Sequence, residues 1–422
     1  MENSSKHLDF SPTPFFRRPA VKVMGIWLAW ACILLAFQKI VVLRFQPQRP
    51  DRVLEWTATE TKAGWFPESP YLHNPFMNEH VEMDSEYYLS IAVQGYEDPW
   101  VQQMITPAGE KVPLNYAFMP FYPLVMKVFM VPLRIFRMDK VATATLAGVL
   151  VSLFGTLGGM FALFDLTRKN ASDQDGYRAM FYLLIFPPAF FMAQVYTEGL
   201  FVGLAFGCLA LLQRRQWIWA VLLACCATLT RAVGVALLVP IGIAWLQDIR
   251  TGELKEVPYL ARQFGKILVG ALPLVTYLAW HSSHLGKMFD WVERDFFGRG
   301  ILRFGQAWGQ WRYAITELAA KNPQTAVYYG IEISIIMVSL IGCLFLIHQR
   351  PGLAAFSLLV LLVSIGSASP QSVSRYLLVM PTTYIFLSHL GRSAIFDRAW
   401  TLLSLLLMGM LATLFSFNFW VA

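Results

Sequence analysis

The chain has 422 residues, of which 56% are apolar and 14% charged, with a formal net charge of +7. Soluble domains carry about 25% charged residues, so a soluble globular, disordered or secreted-scaffold reading is excluded. The basic residues sit between apolar runs, which points to membrane orientation rather than nucleic acid.

The first apolar run, Ala20–Leu43, is too long for a signal-peptide core and reads as an uncleaved helix. Lys6, Arg17, Arg18 and Lys22 precede or open it, so the N-terminus is expected on the cytoplasmic side. A long polar stretch, 44–140, follows. Within it, Phe121–Arg137 carries Lys127 and Pro132 and reads as an interfacial helix rather than a span. Further apolar runs lie near 141–166, 177–195, 197–213, 216–230, 233–247, 266–285, 326–348, 351–368, 375–391 and 399–420.

These patterns predict one integral-membrane domain, 1–422, all-α and polytopic, with about 11 spans. Two outer loops, 44–140 and 286–325, interrupt it. With this topology the cytoplasmic segments hold 16 Lys and Arg in 70 residues, against 15 in 137 for the two outer loops. That asymmetry has the sign the positive-inside rule requires. The five cysteines all fall inside apolar runs and show neither a disulfide framework nor zinc spacing. Gly155 and Gly159 form a Gly-x-x-x-Gly pattern that marks close helix packing.

Four features gather on the predicted outer side. Asp84 and Glu86 open a short helix that closes at Gly95, and acids at that end suit the helix dipole. Glu198 lies in the turn Ala193–Gly199, at the edge of the hydrocarbon, where an ionisable group is a functional candidate. Arg231 separates two runs of about 15 residues. Such a run covers roughly 22 Å of a core about 30 Å thick, so the arginine should be recessed. Arg375 stands at a helix start, the wrong sign for the dipole, and calls for an anion. Two acids and two arginines around one outer cavity predict chemistry on an anionic, lipid-linked substrate. In the second outer loop, Phe304, Trp308, Trp311, Ile315 and Leu318 form one helical stripe. It reads either as an interfacial anchor or as an acceptor platform.

The ordered motifs resemble those of the PIG-V-type mannosyltransferases, membrane glycosyltransferases of the GT-C fold. Met83-Asp84-Ser85-Glu86-Tyr87-Tyr88-Leu89-Ser90-Ile91-Ala92 and Gly95-Tyr96 match that family's first-loop pattern, with Met83 and Tyr87 in place of Trp. Met119-Pro120-Phe121-Tyr122-Pro123-Leu124, Phe186-Pro187 with Tyr196-Thr197-Glu198-Gly199, Thr230-Arg231-Ala232-Val233-Gly234, and Arg375-Tyr376 follow in order. Gly199 replaces the family's Ser. The resemblance implies a polyprenyl-phosphate donor, mannose as the sugar, a lipid or glycan acceptor, and transfer with inversion. It implies Asp84 as base on the acceptor hydroxyl. Glu86, Tyr88, Tyr196, Glu198, Arg231, Arg375 and Tyr376 are expected at the substrate, with the two arginines on the phosphate. No cofactor is implied and no metal is required. The reading favours a bacterial cytoplasmic membrane over that of the endoplasmic reticulum, with the active site on the periplasmic or luminal face. A lipid-linked saccharide flippase is the competing class; it would more often show inverted repeats and matched broken helices, and neither is found.

Overall fold

The computed structural model describes residues 19–62, 69–106, 109–169, 171–251, 257–300 and 302–421. Lys6, Arg17 and Arg18, on which the predicted orientation partly rests, lie outside them.

Each of the eleven apolar runs falls on helix. Among the described residues, six helices are long and apolar enough to cross a membrane: Pro19–Arg44, Lys140–Arg168, Ala232–Arg250, Gln263–Ser282, Pro323–Leu346 and Ala394–Phe415. A seventh is broken. Asp173–Ile185 continues into Pro187–Ala193 after an 83° bend. The cause is local: Pro187 and Pro188 push Phe186 out of helical geometry, to φ −56° and ψ 140°. Three shorter apolar helices, Glu198–Gln213, Trp217–Thr230 and Pro351–Ile365, have 14 to 16 residues. The polytopic, all-helical fold read from the sequence is therefore the fold observed. Its one exception among the described residues is a small hairpin of two antiparallel strands, Gln103–Ile105 and Lys111–Pro113, in the first outer loop.

The segment predicted to lie at the interface is a helix, Phe121–Leu133, that tightens into a 3-10 turn at Arg134–Phe136. Its Tyr122 and Met126 are buried, while Leu124, Val128, Val131, Ile135 and Phe136 are exposed. Exposed apolar side chains beside Lys127 suit the headgroup boundary.

The centre of the molecule is the crossing of Lys140–Arg168 with Glu198–Gln213. Glycines permit it. A Cβ on Gly155 would lie 2.5 Å from the carbonyl oxygen of Gly199, and one on Gly203 would strike the backbone of Gly155. The predicted close packing at Gly155 and Gly159 is thus against Glu198–Gln213. The crossing also fixes the turn before it: Ser152 Oγ donates to the Tyr196 carbonyl at 2.8 Å, and Thr156 Oγ1 donates to the Met192 carbonyl at 2.9 Å. Around this turn Phe415 packs edge to face on Phe190, Phe191 and Tyr196, and Tyr196 edge to face on Phe191, with ring centroids 4.8–5.7 Å apart. Buried aromatics of this kind supply apolar area and a rigid wall.

Candidate active site

Four of the segments around one cavity of about 210 Å3 deliver the charged side chains expected there. Each segment has its own local reason for doing so.

Asp84 is the first residue of the helix Asp84–Val93. The turn ahead of it is tight. Met83 takes a positive φ of 39°, and Ser85 Oγ accepts from the Glu82 amide at 3.1 Å. The carboxylate keeps 24% of its surface exposed toward the cavity.

Glu198 opens the helix that follows the broken span, and its side chain is 2% exposed. Arg231 terminates Trp217–Thr230. Its backbone is extended, at φ −150° and ψ 134°, and the chain then turns back on the helix end. Gly234 makes that return possible: a Cβ there would sit 2.5 Å from the Thr228 nitrogen.

Arg375 lies on the four-residue turn Val373–Tyr376. The turn is clamped from behind by Pro323–Leu346. Glu332 accepts from the Ser374 amide at 2.7 Å and from the Ser374 hydroxyl at 2.9 Å, and Tyr328 OH accepts from the Ser372 amide at 3.1 Å.

The charges form a chain. Arg375 Nη1 donates to Asp84 Oδ2 at 2.7 Å. Arg375 Nε lies 3.5 Å from Glu198 Oε1, and Arg231 Nη1 donates to that same oxygen at 2.5 Å. Arg375 is only 4% exposed, so it depends on these partners for charge balance. The guanidinium of Arg375 also lies over the rings of Phe191, Tyr196 and Tyr376, 5.1–5.4 Å from each centroid. Arg231 stacks on Tyr376 at 4.5 Å.

The structure thus brings together six of the eight expected site residues: Asp84, Tyr88, Glu198, Arg231, Arg375 and Tyr376 all line the cavity. Burial, then the Asp84 and Glu198 carboxylates, push the Tyr88 phenol well above its usual range, so it acts as a neutral wall. Tyr196 stands one layer back, beneath Arg375, with its hydroxyl donating to the Glu82 carbonyl at 3.1 Å. Glu86 is not brought to the cavity. It is buried on the other side of its helix and accepts from Ser69 Oγ at 2.6 Å. Burial pushes its carboxyl up to about 7. Two positions apart on a helix, Asp84 and Glu86 point about 200° away from each other, which accounts for the separation.

Two cavity residues escaped the sequence reading. Glu293, on His284–Asp295, and Arg299, in the loop after it, close the cavity from the second outer loop. Arg299 Nη1 donates to Tyr376 OH at 2.6 Å. Gly298 and Gly300, on either side of Arg299, were the available sequence signal: glycines let backbone approach another segment. Here Gly300 N donates to the Ser367 carbonyl at 3.0 Å. The aromatic stripe beyond, by contrast, is largely exposed at Phe304, Trp308 and Ile315.

The cavity thus sets carboxylates against guanidiniums within a helical fold that carries several apolar, membrane-length helices. The family described as Mannosyltransferase (PIG-V) matches residues 65–279, just over half of the chain, and the protein belongs to that family. No curated protein sequence matches the chain. Similar solved structures include that of ArnT from Cupriavidus metallidurans bound to undecaprenyl phosphate. It is 13% identical, with a TM-score of 0.45, over 86% of this chain and 60% of that one. Another is the archaeal oligosaccharyltransferase AglB from Archaeoglobus fulgidus, in complex with an inhibitory peptide and a dolichol-phosphate. It is 12% identical, with a TM-score of 0.47, over 93% of this chain and 56% of that one. The chain therefore spans less than two thirds of the length of either structure. Among the described residues, no group of three or more His, Cys, Asp or Glu is placed to hold a metal ion.

Proposed function

We propose that this protein is a GT-C-type mannosyltransferase. It moves mannose from a polyprenyl phosphate to a hydroxyl of a lipid or glycan acceptor, with inversion at the anomeric carbon. Family membership supports the reaction class. The observation that carries the residue assignment is the Asp84–Arg375–Glu198–Arg231 chain on one cavity.

In this reading Asp84 removes the proton from the acceptor hydroxyl as that oxygen attacks the sugar. The bond from the sugar to the phosphate oxygen breaks, and its electron pair leaves with the phosphate. The leaving group is a phosphate monoester and needs little protonation. Arg231 and Arg375 supply fixed positive charge beside it in a site shielded from water, where such charge acts most strongly. Glu198 keeps those two arginines in place when the cavity is empty of substrate. Tyr88 and Tyr376 form walls for the sugar and the phosphate. The cavity faces the periplasm or lumen, with the N-terminus in the cytoplasm, in accord with the basic-residue asymmetry. Of the two membranes, the bacterial cytoplasmic membrane is the one proposed.

The test uses the purified full chain in lipid nanodiscs with radiolabelled polyprenyl-phosphate mannose and a panel of lipid and glycan acceptors. A mannosylated product of inverted anomeric configuration, by NMR, is expected. Translocation of donor across the bilayer without transfer would establish the flippase class instead.

A further inference from the structure

Three guanidiniums face the cavity, and they are not equivalent. Arg231 and Arg375 are each within ion-pair distance of a carboxylate. Arg299 is not: among the described residues no carboxylate lies in ion-pair distance of it. Its hydrogen bond goes to the Tyr376 hydroxyl at 2.6 Å. That hydroxyl also accepts from Arg375 Nη2 at 3.3 Å. Both of its lone pairs are then directed at cations. Its own proton finds no acceptor among the described residues. The Tyr376 ring is meanwhile flanked by all three guanidiniums, at 4.5, 5.1 and 5.6 Å. A phenol held this way presents its proton, next to an unpaired arginine, to whatever anion enters.

We infer that Arg299 and the Tyr376 hydroxyl together form the seat for the phosphate of a lipid phosphomonoester, with Arg231 and Arg375, held by Glu198 and Asp84, as the fixed charge beside it. The inference rests on the transfer reading above and deepens it. It assigns the phosphate to a residue of the second outer loop.

The loop is built to hold that position. Arg299 N donates to the Glu293 carbonyl at 2.9 Å. Gly300 N and Arg303 N donate to the carbonyls of Ser367 and Gly366, at 3.0 and 2.9 Å. These bonds tie Arg299 to the strand of chain that leads into Arg375. Glu293, the nearest cavity acid, is pushed up to about 7 by burial and by the neighbouring Asp84 and Asp290, against the pull of Arg299 and Arg231. It therefore spends part of its time neutral near physiological pH and leaves the charge of Arg299 available. As the sugar departs, the phosphate passes from one negative charge to two. A cation with no carboxylate in ion-pair distance answers that change more strongly than one already in an ion pair.

The test measures equilibrium binding of decaprenyl phosphate, decaprenol and inorganic phosphate to the full chain in nanodiscs. Wild type should prefer decaprenyl phosphate to both of the others. Arg299→Gln should weaken decaprenyl phosphate binding roughly 10- to 100-fold, the loss expected for a charge-assisted bond. Arg299→Lys should fall between, and Tyr376→Phe should lose roughly 3- to 10-fold. Decaprenol binding should be unchanged in all three, which verifies that each variant is folded. If Arg299→Gln does not fold, Arg299→Lys and Tyr376→Phe carry the same test. Wild-type affinity in Arg299→Lys and Tyr376→Phe, with loss in Arg231→Gln or Arg375→Gln, would overturn the seat and leave the transfer reading standing. Equal affinity for inorganic phosphate would overturn the lipid-linked ligand. No preference of wild type for decaprenyl phosphate over decaprenol would overturn both the seat and the donor class.

Discussion

Arg231 and Arg375 reach the same oxygen, Oε1 of Glu198, at 2.5 and 3.5 Å, although 144 residues separate them in the chain. One buried carboxylate therefore sets the position of two cations. A deletion of either arginine releases part of the hold on the other. We expect Arg231→Gln and Arg375→Gln each to lower transfer, and their combined effect to fall short of the sum. The coupling energy should be about 0.5–3 kcal/mol. A double-mutant cycle on kcat/KM measures it, and strict additivity would refute the shared oxygen.

Glu332 does not line the cavity, yet it holds the Ser374 amide and hydroxyl and so the backbone that carries Arg375. Glu332→Ala should cost about 1–3 kcal/mol for the two donors left buried. Because the Arg375 turn loosens, kcat should fall more than KM rises. Glu332→Gln retains one carbonyl acceptor and should recover part of the rate.

Gly203 faces the backbone of Gly155 where the two central helices cross. Gly203→Ala must separate them, at a cost of about 1–3 kcal/mol. The same shift moves Glu198 at the head of the helix. A lowered melting temperature together with weaker donor binding is expected; Gly158→Ala, where a Cβ meets nothing within 4 Å, is the neutral control.

Glu86 provides a pH test outside the cavity. Burial raises its carboxyl from 4.5 to about 7 in the folded protein. The protonated form is favoured by folding. Its contribution to stability is therefore complete below about pH 4.5 and is lost as pH rises through about 7. Glu86→Gln resembles the protonated form. Its melting temperature should match wild type at pH 4.5 and exceed it at pH 8. An equal difference at both values would show that Glu86 does not titrate in this range.

The apolar runs were legible because each is long enough to declare its period and its hydrocarbon environment, and all eleven fall on helix. The need of Arg231 and Arg375 for anions was legible too, from short flanking runs and from a cation at a helix start. Which anions they meet was not, because Asp84 lies 291 residues from Arg375. Only the tertiary fold brings the two together. Glu86 looked as good a candidate as Asp84 because spacing gives residue type without direction. Helical geometry turns one carboxylate into the cavity and the other against Ser69. Arg299 was missed for the opposite reason. It sits in a loop beside a more conspicuous aromatic stripe, and its significance depends on Tyr376, 77 residues away.

The central claim is that Asp84 takes the proton from the acceptor. The most direct measurement is single-turnover mannose transfer by Asp84→Asn beside wild type, with donor binding measured on the same samples. Asparagine keeps the shape of the side chain and can still accept from Arg375, but it is not a base. Loss of a general base typically lowers the rate 10²- to 10⁴-fold. A fall of at least about 100-fold is expected, with decaprenyl phosphate affinity retained. Turnover by Asp84→Asn within a few-fold of wild type would contradict it and move the role to another acid of the cavity, Glu198 or Glu293.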